Sequence, residues 1–313
     1  MGSRKRALSI PMRVVLLGTA AGGGFPQWNC WCPTCRVARR EPTRARPRTQ
    51  SSVAVSADGN RWFLLNASPD VREQLGRLPI AEPDGNRHVA VAGVVLTDAE
   101  LDHSLGLVLL REGRQLQLYA TPPVLHTLDL DTRLLPVTRA FAEVRTCALS
   151  PGMPTELAHP GEGPSGITVE PFVVPAGPPR FASRDEPGHT VGLFVHDRRT
   201  GGTLAYAPAC GGLDARLLAR MGATDLLLFD GTFWTDDEMI ALGVGTKRAR
   251  EIDHLPLSGE GGSLAQLAGL ATPRRVYVHI NNTNPILLED SPERAMVTAA
   301  GVEVGMDGMT FDV

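Results

Sequence analysis

The chain has 313 residues, enough for one large domain or two small ones, and its apolar share of 42% supports a sizeable core. A formal net charge of −3 argues against a protein whose main partner is nucleic acid. No apolar run approaches the roughly 18 residues that a membrane-spanning helix needs, so the sequence predicts no membrane segment.

An apolar strand near the start of the chain leads into a glycine-rich turn. Residues 13–17 read as the first core strand, and glycines at positions 22–24 follow closely. We expect residues 1–11 to be a mobile N-terminal extension and residues 12–313 to form one domain. The turn lacks the Gly-Lys-Ser/Thr ending of a phosphate-binding loop, so the glycines are expected to bring the backbone close to an active-site mouth.

Three of the five cysteines are crowded into one short segment, as Cys30, Cys32 and Cys35. Tight thiolate spacing on a loop is typical of a structural zinc site, because three sulfurs can share one tetrahedral ion. Buried free cysteines are the alternative. The spacing does not suggest a disulfide framework, which fits a reducing, cytoplasmic setting.

The next segment is rich in arginine. Residues 36–48 hold six arginines and two prolines. We interpret the segment as a solvated linker, although it could bind a phosphate or supply a cation to an acidic peptide. Strands at 51–56 and 61–66 then flank Asp58-Gly59-Asn60, a strong hairpin signal, and a short helix at 68–75 follows.

Three carboxylates and one imidazole follow a buried strand predicted at 88–96. They are Asp98, Glu100, Asp102 and His103. On a loop past a strand end, these side chains can turn toward one point. Hard oxygen ligands with one imidazole suit a divalent ion such as iron or manganese. A solvated acidic loop is the alternative.

The rest of the chain alternates strands with helices. Further strands are predicted at 115–120, 169–174, 191–196, 203–208, 225–229 and 275–280, and helices at 121–135, 213–221, 264–270 and 290–301. Residues 151–165 are rich in proline and glycine, and we expect an exposed loop there. Residues 302–313 are expected to close the chain as a hairpin around Asp307-Gly308. Two sheets covered by helices on both outer faces, an α/β (α+β) fold, satisfy this pattern.

Polar residues recur where the predicted strands end. The acidic segment 98–103, Asp230 and His279 each follow such a strand. Strand ends on one edge of a two-sheet core can converge on one cleft, so we predict the active site at this edge. Taken alone, His279 is better explained as a hydrogen-bonded core histidine.

Residues 98–103 read Asp-x-Glu-x-Asp-His, which resembles the His-x-His-x-Asp-His signature of the metallo-β-lactamase superfamily with both leading histidines replaced by carboxylates. The more specific block at 18–35 is similar to one branch of that superfamily, the B proteins of PQQ (pyrroloquinoline quinone) synthesis. The similarity covers nearly everything from Met12 on. It implies the αββα sandwich of the metallo-β-lactamase fold.

The resemblance also implies one active-site iron(II), held by residues from Glu100, Asp102, His103 and His279. Two further superfamily ligands fall near Ala176 and Ala209, which cannot coordinate, so we expect one metal rather than a bridged pair. The structural zinc would bind the three clustered cysteines, with Asn282 as a weak candidate for its fourth ligand. We further expect catalytic roles for His254 and Asp98, and substrate contacts from Asn281, Asn284 and Asp230.

The function implied by the resemblance is an iron-dependent hydroxylase. It would act with molecular oxygen on the tyrosine ring of a Glu-Tyr-derived PQQ precursor, alongside other PQQ biosynthesis proteins, and a homodimer is left open. The first alternative is a soluble carrier that delivers PQQ or its precursor toward the periplasm. The second is a single-metal hydrolase of the superfamily.

Overall fold

Two seven-stranded sheets, each covered by helices on its outer face, make up the structure. This computed structural model describes residues 10–83, 86 and 88–313. The strands are β1 (Arg13–Gly18), β2 (Ser52–Ser56), β3 (Trp62–Leu65), β4 (Val91–Val95), β5 (Gln115–Ala120), β6 (Glu143–Ala148), β7 (Thr155–His159), β8 (Gly163–Val173), β9 (Val191–Asp197), β10 (Thr203–Ala207), β11 (Leu226–Asp230), β12 (Arg274–Val278), β13 (Glu303–Val304) and β14 (Thr310–Asp312).

The helices are short and lie between the strands. They are α1 (Pro33–Arg40), α2 (Val71–Leu75), α3 (Leu101–Ser104), α4 (Gly106–Leu109), α5 (Pro122–His126), α6 (Leu134–Arg139), α7 (Ala215–Met221), α8 (Glu238–Ala241), α9 (Ser263–Ala268) and α10 (Pro292–Ala299). A π-helical turn covers Thr127–Asp131, and 3₁₀ turns cover Arg250–Ile252 and Pro285–Leu287. None of the helices in the described ranges is long and apolar enough to cross a membrane.

The two sheets share one plan. The first has the order β14-β1-β2-β3-β4-β5-β6, and the second has the order β13-β12-β11-β10-β9-β8-β7. In the first sheet the strand pairs from β3 to β6 are parallel, and in the second sheet those from β10 to β13 are parallel. The remaining pairs of each sheet are antiparallel. The carboxyl ends of β4 and β5 in one sheet, and of β10, β11 and β12 in the other, are therefore where loops can gather side chains for a site.

Both faces of the central strands are apolar because both are covered. In β1, Val14 and Leu16 face the core between the sheets, whereas Val15 and Leu17 join the outer cluster under α2, α4 and α5. The matching outer cluster of the second sheet contains residues of α1, α7, α9 and α10. This layering is an αββα sandwich, so the predicted fold is confirmed.

Three local predictions were wrong. The segment expected to be an exposed loop at 151–165 contains β7 and the start of β8, because the buried Leu157 anchors an edge strand there. The helix expected at 121–135 is interrupted where Arg133 takes a positive φ of 60°. The closing hairpin is absent, since β13 pairs with β12 in one sheet and β14 pairs with β1 in the other.

The arginine-rich segment is also more ordered than a solvated linker. Its first half lies in α1, which starts with a proline at its first turn. At its end Arg48 is buried, where its Nη1 donates to the hydroxyl of Thr19 and to the carbonyl of Gly305. The linker interpretation was therefore wrong.

We propose that residues 12–313 form one domain, because β1 near one end of this range pairs with β14 near the other. Residues 1–9 of the predicted mobile extension lie outside the described residues. Ile10 is exposed, and its carbonyl accepts a hydrogen bond from Nη2 of Arg199 at 3.2 Å.

Candidate functional site

The site lies where strands of both sheets end on the same edge. Asp98 and His103 follow β4 of the first sheet, Asp230 ends β11 of the second, and His279 follows β12. These side chains are buried, although each carries polar atoms. The structure thus brings together the three polar groups that the sequence placed at strand ends.

Asp98 holds the imidazole of His103 from one side. The carboxylate oxygens of Asp98 lie 2.7 and 2.9 Å from His103 Nδ1, so this nitrogen carries the proton and donates it. The backbone N–H of Glu100 and the hydroxyl of Thr97 also donate to Asp98, at 2.9 and 2.7 Å. Asp98 therefore fixes the ring and tautomer of His103, as a carboxylate beside a metal-binding histidine does.

His103 Nε2 is left without a partner by this arrangement. The atom is buried, and among the described residues it has no hydrogen-bond partner. It lies 3.9 Å from Oδ2 of Asp102, which in turn lies 3.2 Å from His279 Nε2. A group of three potential ligand atoms, one each from Asp102, His103 and His279, lies within 4.8 Å of one another.

His279 is oriented by a hydroxyl that is itself oriented by a carboxylate. Thr232 Oγ1 lies 2.5 Å from Asp230 Oδ1, and because a carboxylate only accepts, the hydroxyl donates to it. The same oxygen, 2.9 Å from His279 Nδ1, then accepts a hydrogen bond from that nitrogen. His279 also has a positive φ of 55°, an uncommon conformation for a residue other than glycine and one that turns the chain sharply at this strand end.

This tautomer leaves two lone pairs facing each other. His279 Nε2 carries no proton, yet it lies 3.2 Å from the carboxylate of Asp102. Burial lowers the pKa of His279, so the ring is neutral at pH 7. A cation between the two groups would remove this repulsion and would also satisfy the buried Nε2 of His103. The residues present therefore fit a divalent metal ion.

The charges of the site also favour a bound cation. Burial alone would lower the pKa of His103, but Asp98 and Asp102 outweigh it and raise the pKa to about 9. Burial would likewise raise the pKa of Asp102, yet the charge of His103 holds it well below its usual range. Ionised carboxylates around buried imidazoles make a strongly electronegative pocket that attracts a cation.

A third histidine extends the cluster. His254 Nδ1 lies 2.7 Å from Asp230 Oδ2, and its ring stacks on that of His279 with centroids 5.4 Å apart. Burial would lower the pKa of His254, but the charge and hydrogen bond of Asp230 raise it above its ordinary value. The ring therefore has a fixed Nδ1–H and a free Nε2, which suits proton transfer.

Glu100 occupies a different position from the other acidic residues. Its side chain reaches solvent, and it is not part of the group of ligand atoms around His103 and His279. Partial burial of the carboxyl, followed by the charges of Asp98 and Asp102, raises its pKa to about 7. Its predicted role as a metal ligand stays a prediction.

The glycine-rich turn passes against the site, as predicted. A side chain at Gly22 would place its Cβ 3.3 Å from Oδ2 of Asp102. The next residue back, Ala21, donates its N–H to the carbonyl of Ile280, immediately after His279. The turn therefore forms part of the wall beside Asp102.

The two alanines that replace superfamily ligands lie beside this cluster. Ala209 precedes Cys210, whose N–H donates to Asp230 Oδ2 at 2.9 Å. Ala176 precedes Gly177, whose N–H donates to the carboxylate of Asp253 at 2.9 Å. Cys210 is buried, and burial raises the pKa of its thiol to about 12, so it is a poor nucleophile.

The cysteine cluster forms a second candidate metal centre. The sulfurs of Cys30, Cys32 and Cys35 all lie within 4.8 Å of one another. A hydrogen bond from Cys35 lowers the pKa of Cys32 to about 5, so one thiolate is present at neutral pH. The Nδ2 of Asn282 lies 3.4 Å from Cys35 Sγ, and a half-turn of this amide would present its oxygen. These donors fit a tetrahedral zinc ion.

The neighbouring asparagines have different surroundings. Asn281 is half-buried beside the cysteines, and its Nδ2 donates to Thr283 Oγ1 at 2.5 Å. Asn284 is fully buried, where its amide donates to the carbonyls of Gly231 and Thr232 and caps the following turn. Asn284 therefore fixes the loop after His279, and its predicted contact with substrate stays a prediction.

Sequence reasoning missed two residues of this edge. Thr232 lies in the segment after β11, but no sequence pattern predicted that its hydroxyl would hydrogen-bond both Asp230 and His279. His189 precedes β9 and is also buried at this edge. A glycine before it and a threonine after it gave only a turn signal.

Comparison with known proteins agrees with this geometry. The model of the beta-lactamase superfamily domain matches residues 61–280. Coenzyme PQQ synthesis protein B of a Methylorubrum extorquens strain is 47% identical over 310 residues, which cover 96% of this chain and 100% of that protein. The chain belongs to the coenzyme PQQ synthesis protein B family.

A solved structure gives the same assignment. The chain is similar to Zn(2+)-bound PqqB from Methylobacterium extorquens, with a TM-score of 0.86 and 44% identity, over 96% of this chain and all of that one. A diphosphatase of the PhnP family has a TM-score of 0.67 at 19% identity, covering 97% of this chain and 98% of that one, and shares the fold. A role in PQQ synthesis therefore follows for this member of the B-protein family.

Proposed function

We propose that this protein is an iron(II)-dependent hydroxylase of the tyrosine ring in a Glu-Tyr-derived PQQ precursor. The observation that carries the proposal is the group of Asp102, His103 and His279, with ligand atoms within 4.8 Å of one another. Two histidines and one carboxylate with open positions are the ligands typical of non-haem iron oxygenases. Membership of a PQQ synthesis family supplies the substrate class.

Iron(II), when bound by these three residues, would supply the activation of molecular oxygen that ring hydroxylation requires. Insertion of one oxygen atom into the ring consumes dioxygen, two electrons and two protons, and the second oxygen atom leaves as water. The protein's own contribution is to hold one carboxylate oxygen and Nε2 of two imidazoles toward a common point, where a bound cation would displace the Nε2 proton of His103.

Proton handling falls to the Asp230–His254 pair. Hydroxylation replaces a ring hydrogen, so a base must take up that proton as the ring regains its aromaticity. His254 has Nδ1–H fixed by Asp230 at 2.7 Å, and its Nε2 is free to accept a proton. Its ring stacks on His279, which keeps this nitrogen close to the proposed iron.

The two metal centres have separate tasks in this proposal. Iron(II) at the strand ends performs chemistry, whereas zinc at the cysteines holds the loop 30–35 against the loop that follows His279. Thr34 and Cys32 both contact the carbonyl of Asn282, three residues after His279. The zinc centre would thus stabilise the position of an active-site ligand.

The direct test measures metal and product together. The protein is purified without oxygen, its iron and zinc are quantified, and Glu-Tyr is offered with iron(II), a reductant and air. Hydroxylated tyrosine that requires iron, and that disappears in Asp102→Ala and His279→Ala while zinc stays near one per chain, supports the proposal. His196→Ala is the matched control because His196 is exposed on β9, away from the cluster.

A second candidate, single-metal hydrolysis, is favoured by one observation. Asp230, His254 and His279 also have ligand atoms within 4.8 Å of one another, beside the first group. The Asp230–His254 pair can protonate a leaving group. If the zinc- or manganese-loaded protein cleaves a phosphodiester or ester and no loading with iron yields hydroxylated tyrosine, hydrolysis replaces the oxygenase proposal.

A further inference from the structure

His189 is buried at the active-site edge without any visible structural task. It is 1% exposed, and in the described part of the chain neither ring nitrogen has a hydrogen-bond partner. Buried polar groups are rarely left unpaired, because they lose their bonds to water without replacement. An imidazole in this position therefore needs a partner that is not part of the described chain.

The segment that carries His189 is attached to both sides of the cleft. At its start, the N–H of Gly177 donates to Asp253, the neighbour of His254. At its end, the N–H of Val191 donates to the carbonyl of Thr97, the neighbour of Asp98, at 2.9 Å. His189 thus lies between two anchors, each of which is one residue from a site side chain.

The start of β9 also lies at this edge. Val191, its first residue, belongs to the core between the two sheets, and its N–H meets the loop after β4. His189 lies two residues before Val191, in the turn that leads into β9. On its other side Gly188 is held by the hydroxyl of Thr121, at the end of β5.

We infer that His189 hydrogen-bonds the phenolic hydroxyl of the substrate's tyrosine ring and so determines specificity. This inference rests on the proposed hydroxylase function. A hydroxyl group both donates and accepts, which matches the two functions of a neutral imidazole. A substrate carboxylate is disfavoured here because Asp98, the neighbour of the anchoring residue Thr97, already supplies negative charge at this edge.

The test compares two peptides by equilibrium binding without oxygen, using metal-loaded protein. We expect the wild-type protein to bind Glu-Tyr more tightly than Glu-Phe, because only Glu-Tyr offers a hydroxyl. His189→Phe should remove this preference and weaken Glu-Tyr binding about tenfold, the loss of one hydrogen bond. His189→Gln, which keeps a donor and an acceptor, should restore part of it. If the Phe variant fails to fold, His189→Leu serves instead.

Metal content and turnover separate the possible failures. Iron per chain should stay unchanged in the His189 variants, and a loss of iron would make His189 a metal ligand instead and overturn the inference. Equal weakening of both peptides, an unchanged preference, or no wild-type binding of Glu-Tyr would also overturn it. If Glu-Tyr binds with the expected preference but is never hydroxylated, the hydroxylase proposal fails while the role of His189 in binding stands. His196→Phe is the matched control, because His196 is exposed on β9, the strand that follows His189.

Discussion

His103 and His279 come from different sheets, yet their ring centroids lie 5.0 Å apart with ring planes at 62°. His103 follows β4 and His279 follows β12, so a metal bound by both would link the two layers of the sandwich. We expect removal of this metal to lower the melting temperature, since a ligand at 1,000 times its dissociation constant adds about 4 kcal/mol. Scanning fluorimetry before and after chelation, with iron(II) added back, checks this. Asp102→Ala should start at the lower temperature and should not respond to added iron.

Asp98 should control metal affinity through His103. Replacement of Asp98 by Asn keeps the size but removes the charge that fixes the His103 proton on Nδ1. We expect about 10- to 100-fold weaker iron binding, as is common when the partner of a metal-binding histidine is lost. Titration with iron(II) against a competing chelator measures this. Glu100→Gln is the matched control, and an equal loss there would show that Glu100 is a ligand.

The strands around the site could be predicted, because their apolar runs and strand-end residues are local signals. The β5 bounds 115–120 agree with the structure, and the hairpin around Asp58-Gly59-Asn60 has its strands at Ser52–Ser56 and Trp62–Leu65. The approximate place of the site followed from polar residues after buried strands. The roles of individual site residues could not be predicted in this way, since those of Thr232 and His189 depend on neighbours that are distant in the chain.

The elements that sequence analysis missed lack a local signal in the chain. The edge strand β6 is largely exposed and shows no apolar alternation, so its pairing with β5 is its main support. The helix α1 starts within a loop-like Cys-Pro-Thr-Cys segment, and its buried face includes Cys35, which the sequence assigned to metal binding. The closing hairpin failed because turn residues do not reveal which sheet each arm joins.

Asp230 should set the pH dependence of the reaction. Burial alone would lower the pKa of His254, but Asp230 raises it, so the base is protonated and inactive below this raised pKa. Asp230→Asn removes the charge, and we expect the acidic limb of the kcat/KM profile to move to lower pH. Removal of the base itself in His254→Ala should lower the rate on the plateau by about 10²–10⁴-fold, the usual contribution of a general base. A profile that keeps its acidic limb in place would remove His254 as the base.

The cysteine cluster should contribute stability rather than chemistry. In Cys32→Ser we expect zinc to fall from about one per chain to near zero and the unfolding free energy to fall by about 4 kcal/mol. Iron at the strand-end site should still bind, although more weakly, because Asn282 lies close to His279 in the chain. Separate zinc and iron analyses with chemical denaturation check this. Cys147→Ser is the control, since Cys147 is half-buried in β6 and distant in sequence from the cluster.

Asp197 offers a stability prediction away from both metal centres. It is fully buried, and its carboxylate accepts from Arg199 at 2.7 Å, which outweighs burial and lowers its pKa. Asp197→Asn should therefore cost about 2 kcal/mol of unfolding free energy near pH 7. A lowered pKa means that this contribution is complete above the unfolded value of about 4 and is lost as pH falls below it.

Denaturation at several pH values checks that sign. The difference between wild type and Asp197→Asn should be constant from about pH 6 upward and should shrink in acid. Asp312→Asn is the control, because its pair with Arg13 is exposed and should contribute about 0–1 kcal/mol.

The crossing of the chain between β13 and β14 has a consequence for biosynthesis. β14 covers the edge of β1, so β1 keeps one side unpaired until residues 310–312 have also left the ribosome. An uncovered strand edge is a template for pairing with another molecule. A nascent chain that stalls before residues 310–312 would therefore expose this edge of β1, and chaperone demand should be highest just before β14 is made.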